Sequence, residues 1–316
     1  MKVYDFRTEY RKSPTGLSVR IPRFSWKMEA ARKNTVQKAY HLLVRQGERT
    51  VWDSGRVRSS QSVLVSYEGA QLEAERRYDM ELTVEDNYGN SSMVNAWFET
   101  GIFDPHELQA QMITHDLPAE ETACPVFYRE FTPRGPVAQA CVYATAHGVY
   151  ELYVNGRRAG EDYMAPGWTS YHKRLQYQHY DITAYLQEEN RIEMWVGNGW
   201  YKGILSFDCK PDRYGDRVAA LAEIHIRYAD GTTEILATDE SWKVQTGCIR
   251  YSEIYMGETQ DTDNPVIREG KVSIVPFDKA VLTPQESEPV RVTERIVARE
   301  VLTDPQGNVL VDFGQN

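Results

Sequence analysis

Apolar and polar residues alternate along most of the chain, in short runs separated by turn residues. In the run 78–84 every second residue is apolar, and the turn residues 86–90 follow it. Alternation with a period of two is typical of a strand with one face buried and one face exposed. The same pattern recurs about every 8–12 residues, which favours a sandwich of antiparallel strands. The pattern therefore predicts an all-β protein.

The first hundred residues have the size and strand count of one immunoglobulin-like sandwich. About seven strands are expected here, and the clearest runs are 23–28, 39–44, 63–65, 78–84 and 96–98. Tyr78 opens a strand six residues after Leu72, which suits a tyrosine corner, where the hydroxyl bonds back to the preceding loop. Trp26 suits the buried tryptophan of an early strand. We interpret both residues as structural core.

A second series of strands begins near Cys124, after a stretch at 101–121 that we interpret as a linker or a short helix. Its runs are 126–131, 138–146, 149–154, 174–180, 191–196, 219–228 and 233–237. Asn155-Gly156 and Asp230-Gly231 are both typical of type I′ hairpin turns. A short helix-like turn is expected from Asp181 onward. This many strands over about 160 residues favours a jelly-roll sandwich.

The last part of the chain predicts one more pair of strands. The run 290–296 alternates, residues 305–308 form a turn, and 308–313 reads as a strand. An isolated hairpin is marginally stable in water, so we expect this pair to belong to a sheet whose other strands lie outside the chain. The predicted organisation is a sandwich at 1–103, a jelly roll at 104–285, and the beginning of a third, truncated β-domain at 286–316.

Composition and charge narrow the possible partners. The net charge is −10, which argues against nucleic acid, because a phosphate backbone requires a clustered basic face. It also fits poorly with an anionic membrane surface, and no apolar run reaches the ~18 residues of a membrane span. The N-terminal residues lack the apolar segment of a signal peptide. We therefore expect a cytoplasmic protein without a nucleic-acid or membrane partner.

The motifs of common catalytic and metal centres are absent from the sequence. There is no H-E-x-x-H, G-x-S-x-G, P-loop or G-x-G-x-x-G motif. The four cysteines are not paired as C-x-x-C, so we interpret them as reduced core residues. Asp261, Asp263 and Asn264 offer oxygens to Ca²⁺, as does the loop with Asp208, Asp212 and Asp216, but neither has a fixed calcium-loop spacing. A solvated acidic turn is the alternative.

Aromatic and polar residues are concentrated at 164–180 and 198–207, and they form the candidate binding site. Exposed aromatic rings would stack on the apolar face of a sugar, and amide and imidazole groups would bind its hydroxyls. The alternative is that the rings pack these loops against the sandwich or a neighbouring domain. The candidate residues are Asn155, Trp168, Tyr171, His172, Asn198, Trp200 and Tyr201.

These stretches also carry a resemblance to a known family. Segments 23–26 (RFSW), 37–40 (QKAY), 51–55 (VWDSG) and 96–101 (AWFETG) are similar to the leading fibronectin-III-like domain of bacterial α-L-rhamnosidases of the inverting (α/α)₆-barrel type. Segments 150–156 (YELYVNG), 165–171 (APGWTSY), 197–201 (GNGWY) and 255–258 (YMGE) resemble the jelly-roll domain that follows it. Segments 289–294 (PVRVTE) and 311–316 (VDFGQN) resemble the entry to the next β-domain. The order and spacing of these segments together carry the resemblance.

The resemblance implies a function that lies mostly outside this chain. In the family, a glutamate in an acidic, arginine-containing motif of the barrel is the general acid, and a second glutamate activates water. Inverting hydrolysis requires two carboxylates ~6.5–9.5 Å apart. No segment here resembles that motif, so we assign no catalytic residue and expect the chain alone to be inactive. The implied partners are rhamnose-containing glycosides and a catalytic domain within the full-length protein.

Three functions remain open at the level of the sequence. The first is the accessory region of an α-L-rhamnosidase, which supports the barrel and binds rhamnosides. The second is a stand-alone carbohydrate-binding or adhesion module, and the third is a structural spacer. The resemblance implies no required cofactor. In some relatives the jelly-roll domain binds L-rhamnose with Ca²⁺, which keeps Ca²⁺ as a hypothesis for this jelly roll.

Overall fold

The computed structural model describes residues 1–118 and 121–315, and nearly all of its regular structure is strand. Asn316, the last residue of the predicted third segment, lies outside the described residues. The first sandwich consists of β1 (Lys2–Thr8), β2 (Arg23–Glu29), β3 (Gln37–Gln46), β4 (Arg49–Asp53), β5 (Val65–Ser66), β6 (Arg77–Asp86) and β7 (Ser91–Glu99). The sheet β1-β2-β5 faces the sheet β4-β3-β6-β7. The predicted seven-stranded sandwich is confirmed. Of the predicted run 63–65, only Val65 belongs to a strand, β5, which pairs with β2.

Two aromatic side chains anchor the core of the first sandwich, as predicted. Trp26 is 2% exposed, and its Nε1 donates to Oε1 of Gln37 at 2.8 Å. Tyr78 stacks on Phe98, and its hydroxyl accepts a hydrogen bond from the backbone N–H of Glu73 at 2.8 Å. The tyrosine corner is confirmed, because that hydroxyl fixes the loop before β6.

The second sandwich contains two larger sheets. Its strands are β8 (Ile113–His115), β9 (Pro125–Phe131), β10 (Val137–His147), β11 (Val149–Val154), β12 (Arg157–Arg158), β13 (Leu175–Asp181), β14 (Asn190–Gly197), β15 (Ala219–Tyr228), β16 (Thr233–Ala237), β17 (Lys243–Thr246), β18 (Ile249–Glu253), β19 (Gly257–Gln260), β20 (Glu269–Gly270), β21 (Val272–Ile274) and β22 (Leu282–Pro284). One sheet has the order β21-β8-β15-β10-β13-β22, with β16 also paired to β15. The other has the order β12-β11-β14-β9-β17-β20.

The core of the second sandwich lies between these two sheets. Alternate residues of β10 and β15, such as Val142 and Ile224, face Leu152 and Met194 from β11 and β14. All four side chains are at most 1% exposed. β18 and β19 pair as a separate hairpin, so the jelly-roll core is formed by the two large sheets.

Helical structure is limited to short segments among the described residues. Three are 3₁₀ turns, at Pro105–Glu107, Thr183–Tyr185 and Lys279–Val281, and the first two match predicted turns. The α-helix α1 (Gly199–Lys202) is a single turn. None of the helices in the described ranges has the length and apolar character needed to cross a membrane.

Two details of the predicted turns and strands are wrong. Asp230-Gly231 is not a type I′ turn, because only Gly231 has a positive φ, of 85°. The Asp230 carboxylate accepts the backbone N–H of Thr232 and stabilises a different loop. The strand predicted over 290–296 is not formed, and Val290 makes an isolated bridge with Tyr163. Alternation alone does not produce a strand where no neighbouring backbone completes the ladder.

The last hairpin pairs different residues from those predicted. β23 (Glu300–Thr303) pairs with β24 (Val309–Asp312) in a two-stranded sheet. The second predicted strand of this pair is therefore confirmed, and the first begins about ten residues later than the sequence indicated. All four cysteines are free, but Cys209 is exposed and Cys248 half-buried, so the core prediction is wrong for these two.

A largely buried ionic cluster joins the two sandwiches. Glu75 projects from the loop before β6, and its carboxylate lies 2.5 Å from Nδ1 of His225 and accepts the Tyr143 hydroxyl at 3.0 Å. The other ring nitrogen of His225 lies 2.8 Å from Oε1 of Glu223, whose side chain is fully buried. Oε2 of Glu223 accepts the backbone N–H groups of the connecting residues Gln109 and Ala110. We call Glu75, His225 and Glu223 the interdomain ionic cluster.

The imidazole of this cluster is charged at neutral pH. Both of its nitrogens face carboxylate oxygens, and only imidazolium donates from both. Burial acts to lower the pKa of His225, but the hydrogen bonds to Glu223 and Glu75 outweigh it and raise the pKa to about 9. Burial acts to raise the pKa of Glu75, but His225 outweighs it and lowers the pKa. The cluster therefore holds one positive charge between two negative ones.

We expect the substitution His225→Ala to lower the free energy of unfolding by about 3 kcal/mol, because it leaves the fully buried carboxylate of Glu223 and the partly buried one of Glu75 without their shared partner. The loss should be complete near pH 5, below the ordinary histidine pKa of ~6.5, where His225 is protonated in both folded and unfolded chains. It should shrink as the pH rises through about 9, where the wild-type imidazole loses its proton. Urea unfolding from pH 5 to 10 measures this.

The matched control for this substitution is His106→Ala, because His106 is exposed beside the interdomain connection. Its stability should match that of the wild type at every pH. Three neighbours of the cluster also have shifted pKa values: Cys141, His179 and Glu99. The quantity compared at each pH is therefore the difference in free energy of unfolding between the variant and the wild type. A destabilisation by His225→Ala that is constant from pH 6 to 10 would contradict a charged imidazole.

Candidate functional site

The structure brings five of the seven predicted sugar-site residues into one group of aromatic rings. They come from the loop between β12 and β13 and from α1, and Tyr214 joins them from the loop before β15. We call the group the aromatic cluster; it consists of Trp168, Tyr171, His172, Trp200, Tyr201 and Tyr214.

The loop that carries Trp168 is fixed to the sheet by backbone hydrogen bonds. The N–H of Tyr150, on β11, donates to the carbonyl of Ala165 at 2.8 Å. Met164 and Gly167 both have positive φ, and the N–H of Gly167 donates to the carbonyl of Met164. This tight turn brings Trp168 to the surface, where α1 meets the loop.

The single turn of α1 places Trp200 and Tyr201 beside that loop. Gly199 has a φ of 55° and packs so closely on β11 that a Cβ there would lie 2.8 Å from the backbone nitrogen of Val149. A glycine is therefore required where α1 leaves β14. Asn198, just before it, donates from Nδ2 to Glu253 at 2.9 Å, which ties α1 to β18.

Trp168 and Trp200 form a pair of parallel rings, of which Trp168 is exposed and Trp200 is half-buried. Their centroids are 6.1 Å apart and their planes differ by 6°. Trp168 is 55% exposed, and its indole Nε1 donates to the Tyr214 hydroxyl at 3.2 Å. We call these two residues the tryptophan platform. A flat, oriented and partly exposed aromatic surface is suited to contact with the C–H face of a sugar ring.

The other rings of the cluster support the platform from beneath. Tyr171 is 3% exposed, and its hydroxyl donates to the carbonyl of Gly167 at 3.0 Å. Tyr201 stacks on His147 at 4.2 Å with planes 7° apart. Burial raises the pKa of Tyr171 and of Tyr201, so both hydroxyls stay protonated at neutral pH. These two tyrosines therefore pack against the sandwich, which was the alternative to direct sugar contact.

His147 contributes a neutral aromatic surface beneath Tyr201. Its burial lowers the pKa to about 4, and the charge of His172 acts in the same direction. The rings of His147 and Phe277 meet edge to face, with their centroids 5.6 Å apart. The His147 ring below the tryptophan platform therefore stays uncharged over the whole neutral pH range.

Asn155 and Asn198 lie outside the cluster, and both are engaged with protein atoms. Nδ2 of Asn155 donates to the carbonyl of Tyr185 and to Asn190, and its Oδ1 accepts the backbone N–H of Arg191. Asn155 and Gly156 both have positive φ, which confirms the predicted type I′ turn. His172 is exposed, with its ring 5.7 Å from that of Tyr214. Of the polar candidates, His172 alone combines exposure with a place in the cluster.

Sequence reasoning missed Tyr214, His147 and Phe277. Tyr214 lies in the loop DCKPDRYGD, which the sequence analysis considered only as a possible calcium site because of its acidic residues. The available signal was its neighbour Gly215, which packs against the Tyr201 ring so closely that a Cβ would lie 2.5 Å from the Tyr201 hydroxyl. The contacts of His147 and Phe277 join residues far apart in the chain, and no local pattern marks them.

The candidate calcium residues hold turns in this structure. Oδ1 of Asp261 accepts the backbone N–H of Asn264 at 3.0 Å, and Asp263 is exposed. Asp208 pairs with Arg213. Across residues 1–118 and 121–315, no group of three or more His, Cys, Asp or Glu side chains is arranged to hold a metal ion. Calcium binding therefore stays a prediction.

Comparison with protein families matches both sandwiches. The model of the α-L-rhamnosidase N-terminal domain matches residues 135–294. The model of the Rha78A-like N-terminal immunoglobulin domain matches residues 3–104. Together the two matches include the aromatic cluster and both sides of the interdomain ionic cluster.

Curated relatives and solved structures agree with these matches. An α-L-rhamnosidase of Streptomyces avermitilis is 36% identical over 198 residues, which are 58% of this chain and 19% of the relative. One from Alteromonas sp. (strain LOR) is 29% identical over 96% of this chain and 36% of the relative. The chain thus spans about a fifth to a third of the length of these relatives.

The solved structures establish the same fold over the whole chain. The native rhamnosidase from Aspergillus terreus superposes with a TM-score of 0.88 at 29% identity, covering 100% of this chain and 39% of that one. The Streptomyces avermitilis enzyme complexed with L-rhamnose has a TM-score of 0.85 at 24% identity, covering 100% of this chain and 49% of that one. With a family model matched over half of its length, the chain belongs to the α-L-rhamnosidase N-terminal domain family.

Proposed function

We propose that this chain is the accessory N-terminal region of an α-L-rhamnosidase, the glycoside hydrolase that removes terminal α-L-rhamnose from glycosides. In this role the two sandwiches support a catalytic domain of the full-length protein and hold rhamnosides near it. The proposal is supported by the relatives, which are α-L-rhamnosidases whose N-terminal parts this chain matches.

The observation that carries the sugar-binding part is the tryptophan platform. L-Rhamnose is a 6-deoxy sugar, so a methyl group replaces the hydroxymethyl group at the ring edge and enlarges its apolar surface. Trp168 and Trp200 offer two parallel faces, and the Tyr214 hydroxyl orients one of the indoles. A rigid ring loses little conformational entropy on binding, so such a surface is preorganised for its ligand.

The exposure of Trp168 also separates it from ordinary core packing, while Trp200 is half-buried. Trp168 is 55% exposed, whereas Trp26 and Trp242 are only 2% and 3% exposed. His172 lies beside it as an exposed side chain with donor and acceptor capacity. These features are those expected of a sugar contact with an apolar surface and a polar edge.

We expect Trp168→Ala and Trp200→Ala each to weaken L-rhamnose binding about tenfold, because a lost aromatic stacking contact costs about 0.5–1.5 kcal/mol beyond its buried area. Isothermal titration with millimolar L-rhamnose measures the affinity, in parallel with and without Ca²⁺. The matched control is Trp97→Ala, which removes a half-buried tryptophan from the first sandwich.

The titration separates the open functions. Binding that falls in both platform variants and stays in the control supports a rhamnoside-holding role. An absence of heat and of any melting shift in the wild type at millimolar sugar would leave only the structural role. An affinity that requires Ca²⁺ would show that the chain carries a metal site, for which Asp261→Ala is the first test.

A second expectation concerns activity. We expect this chain to release no nitrophenol from an aryl α-L-rhamnoside, because the paired carboxylates of inverting hydrolysis belong, by resemblance, to a helical barrel. The helices in the described residues are at most four residues long. Absorbance at pH 7 against a protein-free blank measures release, and sustained turnover above that blank would contradict the accessory role.

A further inference from the structure

We propose that the outer face of the six-stranded sheet carries a second carbohydrate site, which binds the neutral sugar chain of a glycoside. The site is a cleft of about 710 Å³ between β11, β14 and the β18–β19 hairpin, which we call the Trp195 cleft. Its volume is within the range of ~300–1,000 Å³ typical of small-molecule sites. This second site depends on the proposed sugar-binding role in one respect, namely that its ligand is also a carbohydrate.

In the floor of the cleft, aromatic rings and carboxylates alternate along each of two neighbouring strands and face each other across them. β11 and β14 are antiparallel neighbours, with Glu151 opposite Trp195 and Tyr153 opposite Glu193. All four side chains point away from the core, because the residues between them are buried. The rings of Tyr153 and Trp195 lie 6.0 Å apart. Each ring therefore has a carboxylate directly across the ladder, and the two rings are diagonal neighbours.

Both rings are held in place before any ligand arrives. The Trp195 Nε1 donates to Glu193 at 3.3 Å, and the Tyr153 hydroxyl donates to Glu151 at 2.6 Å. The indole also packs on Gly247, where a Cβ would lie 2.8 Å from its Cζ3 atom. An orientation fixed in this way reduces the entropy lost on binding.

The β18–β19 hairpin forms the opposite wall and adds polar groups. Ser252, Glu253 and Glu258 line the cleft from this side. Glu253 is anchored to α1, since it accepts from Asn198 Nδ2 at 2.9 Å and from the backbone N–H of Ile204. The wall is therefore joined to the helix that carries Trp200.

The charges in the cleft indicate a neutral ligand. Its lining, within the described residues, includes the carboxylates of Glu151, Glu193, Glu253 and Glu258 and has no Lys or Arg. These carboxylates would repel an acidic sugar. Glu151 and Glu193 are already paired with Arg158 at 3.1 Å and Arg191 at 2.7 Å, so their attraction for a basic peptide is reduced. Their remaining lone pairs accept sugar hydroxyls.

The cleft and the tryptophan platform meet at α1. Gly199 lines the cleft, while the next residue, Trp200, stacks on Trp168. The two surfaces are therefore separated by one turn of helix. A rhamnoside at the platform and a neighbouring sugar unit in the cleft would contact opposite sides of α1.

The test compares rutinose, a neutral disaccharide of rhamnose and glucose, with L-rhamnose and with a disaccharide of rhamnose and galacturonic acid. Isothermal titration of the whole chain measures each affinity. We expect Trp195→Ala and Glu193→Gln to weaken rutinose binding about tenfold while L-rhamnose binding stays within twofold. Trp97→Ala should change neither, and the acidic disaccharide should bind the wild type at least tenfold more weakly than rutinose.

Glu193→Gln guards against a folding artefact, because it keeps the size of the side chain, and circular dichroism confirms the fold of each variant. Rutinose affinity unchanged in both cleft variants would overturn the proposal. Binding of penta-lysine in place of rutinose would overturn it as well, in favour of a basic peptide. Rutinose binding that is lost in Trp195→Ala but kept in Trp168→Ala would support the cleft even if the platform proposal fails.

Discussion

The arrangement of the two sandwiches depends on the interdomain ionic cluster. His225 stands between Glu75 of the first sandwich and Glu223 of the second, and the carboxylate of Glu223 also holds the backbone that connects them. Burying a charge is costly unless it is paired and hydrogen-bonded, and here the buried Glu223, the largely buried His225 and the partly exposed Glu75 are all paired. The cluster therefore ties domain orientation to one imidazole proton, and its removal affects both sandwiches and their connection together.

The sequence predicted the strands well because their signal is local. Period-two alternation and turn residues identified both sandwiches, the tyrosine corner at Tyr78 and the Asn155-Gly156 turn. The errors arose where structure depends on partners distant in sequence. The run 290–296 alternates but finds no ladder, and the Asp230 side chain selects a different turn. Glu75 and His225 are 150 residues apart, and no local pattern connects them.

The candidate site was predicted in part for the same reason. Trp168, Trp200 and His172 lie in one cluster because both loops follow strands of the same jelly roll, but Trp200 is half-buried rather than exposed. Tyr171 and Tyr201 are support rather than exposed contacts, and burial of this kind cannot be read from residue type alone. Asn155 and Asn198 resemble sugar ligands in sequence, yet their amides are satisfied by backbone and Glu253.

We infer that this N-terminal region presents a sugar-binding aromatic surface built on the jelly roll. Proton–nitrogen correlation spectra of the seven indole N–H groups test it most directly, during titration with L-rhamnose. We expect shifts for the indole signals of Trp168 and Trp200, assigned by substitution, while the signals of Trp26 and Trp97 stay fixed. Indole signals that remain unchanged at saturating sugar would contradict it.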